Sequence, residues 1–200
     1  MSRATLLALA LLAITGCSSA LKVDVAYPEA GVNRALLAGA GPRQVALEPV
    51  SDRRVDTRIG TEPKKGKPIV TRRPVTDIVR DALALEIERN GHTLVKEPTD
   101  LVLAADVEAF SLDFVEGYQG RHYIGKVAIA LTATEGPTGR RLLDRRYVGI
   151  KRLRPEGDVD TGAVARAVLD AALTRAMRDL ATDRELVKVL ARPRSAAVAP

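Results

Sequence analysis

The spacing of apolar and polar residues along this chain changes several times, and each change marks an element. Gln44 to Val50 (QVALEPV) alternates, with Val45 and Leu47 on one face, and predicts the first secure strand. From Pro74 to Asn90 the period lengthens to that of a helix. Val75, Ile78, Val79, Ala82 and Leu83 share one face, and Asp77, Arg80, Asp81 and Glu88 the other. Pro74 suits the first turn, where a missing N–H costs nothing, and Gly91 provides a left-handed residue after the last turn. Glu86 projects onto the apolar sector, so it must lie at the core edge or the helix must rotate there. His92 to Val95 begins a short strand. Asp100 to Val115 is a long strand with a phase change: Leu101, Leu103, Ala105, Val107 and Ala109 share a face, then Phe110, Leu112 and Phe114 take the other parity. A slip of one residue is the mark of a β-bulge or a sharp bend.

The second half repeats the pattern. Tyr123 to Thr134 predicts a strand with Tyr123, Val127, Ile129, Leu131 and Ala133 inward. Glu135 to Gly139 is a hairpin loop, and Arg140 to Lys151 returns with Leu143, Tyr147 and Gly149 inward. Asp158 to Ala181 is the strongest helix. Its wide apolar stripe runs through Ala165, Val168, Leu169, Ala172, Leu173, Ala176 and Leu180. Thr182-Asp183-Arg184-Glu185 has capping-box spacing and opens a short helix to Leu190. These elements predict an α+β domain over residues 44–190, a mainly antiparallel β-sheet with two main helices packed on one face. Before it, residues 17–43 hold Pro28, Gly31, Gly39, Gly41 and Pro42 and read as a flexible tether, although Leu21 to Tyr27 alternates as an added edge strand would. Val55 to Arg73 reads as a mobile polar loop, and residues 191–200 as a disordered tail. No internal repeat occurs at any period.

The first residues follow another logic. Arg3 is followed by an apolar run from Ala4 to Ile14 that would rise roughly 16 Å as a helix, half of a bilayer core. Such a run is a signal segment and not a membrane span. It ends in Ile14-Thr15-Gly16-Cys17, which resembles the lipobox of bacterial lipoproteins: a branched apolar residue, two small residues and an obligatory cysteine. The resemblance implies removal of residues 1–16 by cleavage between Gly16 and Cys17. It also implies a covalent diacylglycerol and an N-acyl chain on Cys17, and Ser18 points to the outer membrane. Cys17 is the only cysteine, so no disulfide can form within the chain.

Composition narrows the function. The chain is 46% hydrophobic and 28% charged, but only 3% aromatic and without Trp. Grooves for carbohydrate or single-stranded nucleic acid stack rings on aromatic platforms, so both are disfavoured. The net charge is +6 and the pI near 9.7. An exported chain meets no chromosome, so this charge suits anionic lipid headgroups, lipopolysaccharide or cell-wall carboxylates rather than nucleic acid. Two basic clusters stand out. One is Lys64, Lys65 and Lys67 with Arg72 and Arg73; the other runs from Arg140 to Arg154. They form one patch only if the loop and the hairpin lie on the same side. Asp52 and Arg53, followed by Arg54, are a further candidate binding position, with turn-capping and ion pairing as the structural alternative.

A catalytic constellation is not discernible. His92 and His122, the only histidines, read as surface imidazoles, and no metal-ligand set or Gly-x-Ser-x-Gly, Ser-x-x-Lys or phosphate-loop motif occurs. Asp106 and Glu108 are spaced as one solvent face and are expected to pair with Arg145 or Lys126 across the sheet. No catalytic residue, metal or diffusible cofactor is therefore expected.

The order of the motifs resembles the YajG-type family of small outer-membrane lipoproteins. The carriers are Asp52-Arg53-Arg54 and Ile59-Gly60 after the first strand, Asn90-Gly91 closing a helix, a strand meander, and Asp183-Arg184-Glu185-Leu186 after the long helix. The basic segment Lys64 to Lys67 and the Pro-containing tail depart from that pattern. The resemblance implies a fold and an address but no reaction. It leads to the expectation of a non-catalytic, lipid-anchored binding or scaffold lipoprotein at the periplasmic face of the outer membrane, meeting an anionic polymer or an envelope protein. The alternative is an accessory subunit of a transport, secretion or cell-wall synthesis complex.

Overall fold

In the computed structural model the described residues are 19–31, 36–96, 99, 101–118, 120–136, 138–157 and 159–192. The signal segment, Gly16, Cys17 and the tail from 193 lie outside them. The fold is α+β, built on two sheets. The larger is six-stranded. Its backbone is an antiparallel meander of three long strands: β7 (Leu101–Gly117), β8 (Gly120–Glu135) and β9 (Arg141–Leu153). On the other side of β7 lie β2 (Gln44–Leu47) and β6 (Thr93–Val95), in the order β6-β2-β7-β8-β9, and β3 (Ser51–Asp52) also pairs with β7.

The sheet is mainly antiparallel, as expected, but not purely so: the short pairs β2/β6, β2/β7 and β3/β7 are parallel. The reason is topological. Helix α1 (Val75–Arg89) lies between β2 and β6 in the chain, and a strand-helix-strand crossover returns parallel where a tight hairpin cannot. Helix α2 (Thr161–Ala181) packs across β8 and β9 and touches α1, and α3 (Arg184–Leu190) follows it.

The phase change in the long strand is a bulge. The β7/β8 register shifts between Val107 and Ala109, with Glu108 exposed, so the switch comes two residues before Phe110 and leaves Ala109 half-buried. The inward positions of β8 and β9 are those expected: Tyr123, Val127, Ile129, Leu131, Ala133, Leu143 and Tyr147 are buried. Gly149 marks the closest approach of α2 to the sheet, where an added Cβ would overlap the carbonyl oxygen of Ala172. Helix starts fall one to three residues later than the sequence reading placed them. Pro74 precedes the first helical residue, Asp160 caps α2, and the residue capping α3 is Asp183, which accepts from Glu185 N at 2.8 Å, and not Thr182.

Two expectations are overturned. The tether over 17–43 is not loose in its described part. Strand β1 (Leu21–Val23) runs parallel to β5 (Pro68–Thr71), and Val23, Val25 and Leu37 are buried. Nor is 55–73 a mobile loop. Strands β4 (Gly60–Thr61) and β5 form a hairpin that completes a three-stranded sheet with β1, and Ile59 and Ile69 enter the core. The alternation of Leu21 to Tyr27 thus marks a real edge strand, whereas β4, with no buried residue, and β5, with one, leave little periodicity to read.

Candidate functional site

A groove of about 730 Å³ opens on the β6 side of the molecule. One wall is the outer row of α1, Arg80, Ala84 and Glu88, which helical spacing brings onto one line. The opposite wall comes from β2 and β6, with Leu47, Leu94 and Val95 providing apolar surface. Glu48 and Lys96 add charge at the ends. A smaller depression at Val50, Thr76 and Asp77 shares Leu47, Pro49 and Arg80 with it. This size falls within the range of sites that enclose a small molecule or a short chain segment. Sequence reading missed the groove. Its signal was the half-polar face of α1, which reads equally well as solvent-exposed.

Asp52 is already engaged. Arg54 grips it with Nε on Oδ1 at 2.9 Å and Nη2 on Oδ2 at 2.8 Å, and the Arg54 N–H adds a bond to Oδ1 at 3.1 Å. The Arg54 side chain is buried and also reaches the Phe110 carbonyl at 3.4 Å. The Arg54 hydrogen bonds hold the Asp52 carboxyl below the usual carboxylate range. Arg53 is exposed and pairs with Asp106 at 3.4 Å. Asp106 thus pairs with neither Arg145 nor Lys126, and Glu108 bonds Arg146 instead. Arg145 shares the inward parity of Leu143 and Tyr147, away from the face of Asp106, and reaches Asp183 at 3.9 Å.

The basic clusters merge only in part. Lys64, Lys65 and Lys67 lie at the tip of the β4–β5 hairpin, and Pro63 and Lys64 line a small cleft with Glu116 and Arg121 beside the β7–β8 turn, the end to which β9 also brings Arg152. Arg140 and Arg141 sit at the opposite end of β8, roughly 40 Å away along the strand. There they pair with Glu135 at 3.4 Å and Asp144 at 2.6 Å. Asp52 and Arg53, beside Val107, are likewise roughly 28 Å from Lys64, beside Glu116.

Two buried polar groups also escaped the sequence reading. Glu86 is fully buried. It neither sits at the core edge nor is rotated out, because the Tyr27 hydroxyl donates to it and Asn90 Nδ2 lies 3.2 Å from its other oxygen. Burial, then the bond to Glu86, pushes the Tyr27 hydroxyl upward. His92 is no surface imidazole but is buried, with Nε2 3.2 Å from the Leu37 carbonyl. Burial lowers its pKa. His122 lies at the other end of the molecule, on the outer face near Tyr118, so the two imidazoles do not meet. Among the described residues no three His, Cys, Asp or Glu side chains converge as metal ligands would, and no helix is long and apolar enough to cross a membrane.

Neither a family model nor a curated protein matches this sequence. Solved structures resemble the fold to differing degrees. A protein of the DUF330 family from Xanthomonas campestris superposes with a TM-score of 0.56 at 21% identity, over 86% of this chain and 96% of its own. A minor lipoprotein from Acinetobacter baumannii gives 0.41 at 15% identity, over 71% and 94% of the two chains. A lipoprotein from Neisseria meningitidis gives 0.30 at 10% identity, over 71% and 100%. At these identities the chain is shown to have the fold of the Xanthomonas protein, and the fold does not carry a function with it.

Proposed function

We propose that this chain is a non-catalytic, lipid-anchored binding lipoprotein of the bacterial cell envelope, of the YajG type, held by an acylated Cys17 at the periplasmic face of the outer membrane. One observation carries the reading. The first described strand begins at Leu21, with only Ser18, Ser19 and Ala20 between it and Cys17. Cleavage at Gly16–Cys17 would therefore remove the apolar leader and leave every described strand intact. The lipobox-like run thus ends just before a segment that the fold uses, which supports the reading.

The α1–β6 groove is the binding position in this reading. An apolar wall of Leu47, Leu94 and Val95 facing Arg80 and Glu88 suits an extended segment of an envelope protein better than an anionic polymer. The division of the cations between two ends, with Arg140, Arg141 and Arg146 in ion pairs, also argues against one continuous polymer-binding face. This favours the accessory-subunit form of the function over the cell-wall scaffold. The test is metabolic labelling of the full chain with an alkynyl fatty acid in a bacterial host. The parent is expected to take up label and fractionate with membranes, and Cys17→Ser to do neither. An unlabelled parent would sink the proposal.

A further inference from the structure

One end of the molecule gathers features that the groove does not use. Because β1 and β5 are parallel, with Leu21 opposite Ile69, the chain enters the fold at the end where the Lys64–Lys67 tip precedes β5. The first turn of α2 lies there too, since a Cβ on Gly162 would stand 3.7 Å from Leu21 Cδ1. The β7–β8 turn reaches the same end, through the cleft that joins Lys64 to Glu116 and Arg121. On the outer side of this turn, Val115 and Ile124 line a shallow depression with Arg152, and Tyr118 stands fully exposed at the tip. Ile150, beside Lys126 on the same face, is half exposed.

Among the described residues at this end six cations, Lys64, Lys65, Lys67, Arg121, Arg152 and Arg154, stand against five carboxylates, Glu62, Asp113, Glu116, Glu156 and Asp160. Glu62 is taken by Lys65 at 3.5 Å and Glu116 by Arg121 at 3.0 Å, while Asp160 is used in capping α2. Among the described residues, Lys67, Arg152 and Arg154 make no ion pair. An exposed tyrosine and aliphatic side chains ringed by cations match the chemistry of a bilayer interface, where the ring sits at headgroup depth and each cation meets a phosphate.

We propose that this end seats the domain on the anionic phospholipid headgroups of the leaflet that holds Cys17, with Tyr118 in the interface and Arg152, Arg154 and Lys67 on phosphates. The proposal rests on the reading that Cys17 is acylated. The link from Cys17 to Leu21 spans at most about 14 Å, so an acylated Cys17 keeps this end at the membrane and leaves no other end within reach. Seated this way, the domain presents the α1–β6 groove outward. The groove meets β7 at Val102, roughly 45 Å along the strand from the Gly117 turn.

The experiment uses the full chain, acylated in a bacterial host and reconstituted into vesicles of zwitterionic lipid, with or without anionic phospholipid. Acylation would leave the Cys17 sulfur in a thioether, so Tyr118→Cys carries the only free thiol and accepts an environment-sensitive fluorophore; Arg140→Cys is the far-end control. Dye at position 118 is expected to be blue-shifted and quenched by lipid-borne quenchers on anionic vesicles, and dye at 140 to stay water-like. Arg152→Gln is expected to weaken seating roughly fivefold. If the protein floats with the vesicles but dye at 118 stays water-like, the seating proposal is overturned and the anchor stands. If the protein does not float with vesicles, the anchor and the seating both fall. A shift at 118 that requires added envelope proteins would make this end a protein-docking surface and overturn the lipid assignment.

Discussion

His92 shows how one side chain can couple stability to pH. Its Nε2 lies 3.2 Å from the Leu37 carbonyl, so that nitrogen carries the proton in the neutral ring, and Nδ1 is buried without a partner. Charging the ring would place an unpaired cation in the core, and burial accordingly holds its pKa below the ordinary 6.5. The folded form therefore binds the proton less readily than the unfolded chain. Its contribution to stability is complete above the ordinary value and is lost as pH falls through that value toward the depressed one. Urea unfolding between about pH 8 and about pH 5 is expected to show a steeper loss for the parent than for His92→Leu. Equal slopes would show that the imidazole is not the sensing group. Asp52 has the same sign lower on the scale, because Arg54 stabilises its charged form. The histidine reads as a surface imidazole at the start of a short strand, since its partner carbonyl lies fifty-five positions away in sequence.

Among the elements, α2 and the β8–β9 pair bear most of the packing, and two glycines set their distance. A Cβ on Gly125 would press on Val168, and one on Gly149 would overlap the Ala172 carbonyl oxygen and crowd the Ala176 nitrogen. Backbone cannot yield as a flexible side chain can. Gly149→Ala is therefore expected to cost about 3 kcal/mol, the upper end for overpacking, by lifting α2 from the sheet. Chemical denaturation checks it; a loss below about 1 kcal/mol would mean that the helix slides without penalty. Alternation alone placed Gly149 inward, and the bulge was legible from the parity switch near Phe110. The two short strands of the β4–β5 hairpin were not legible, because a run with a single buried residue such as Ile69 shows no alternation.

For the whole molecule, the decisive feature is the N-terminal segment that straps the fold. Residues 21–31 add a strand to β5, place the Tyr27 hydroxyl on Glu86, and bring the Ala26 N–H to within 2.9 Å of the Asp170 carboxylate. Glu29 then pairs with Arg89 at 2.9 Å. Removing residues 21–31 while keeping Cys17 would leave Glu86 buried without its tyrosine. The expected loss is about 3–5 kcal/mol, from the lost burial of Val23 and Val25 and the lost hydrogen bond to Glu86, and it would appear as a lower urea midpoint. An unchanged midpoint would demote the strap to a covering with no energetic part in the fold. The strap also ties the Cys17 side of the chain to one end of the domain, which gives the seating proposal its geometry.

The chain by itself determined what local periodicity encodes: the two long helices, the three long strands with their bulge and the α+β class. Each of these repeats a pattern over many residues or depends only on neighbours, so no distant contact is needed to read it. Tertiary structure alone decided that β2 and β6 pair in parallel, that the strap and the β4–β5 hairpin form a second sheet, and that Glu86 and His92 are buried. It also decided that the cations divide between two ends and that a groove opens beside α1. Those outcomes depend on pairings between segments tens of residues apart, and a single residue's place in the sequence carries no record of the surface it will meet.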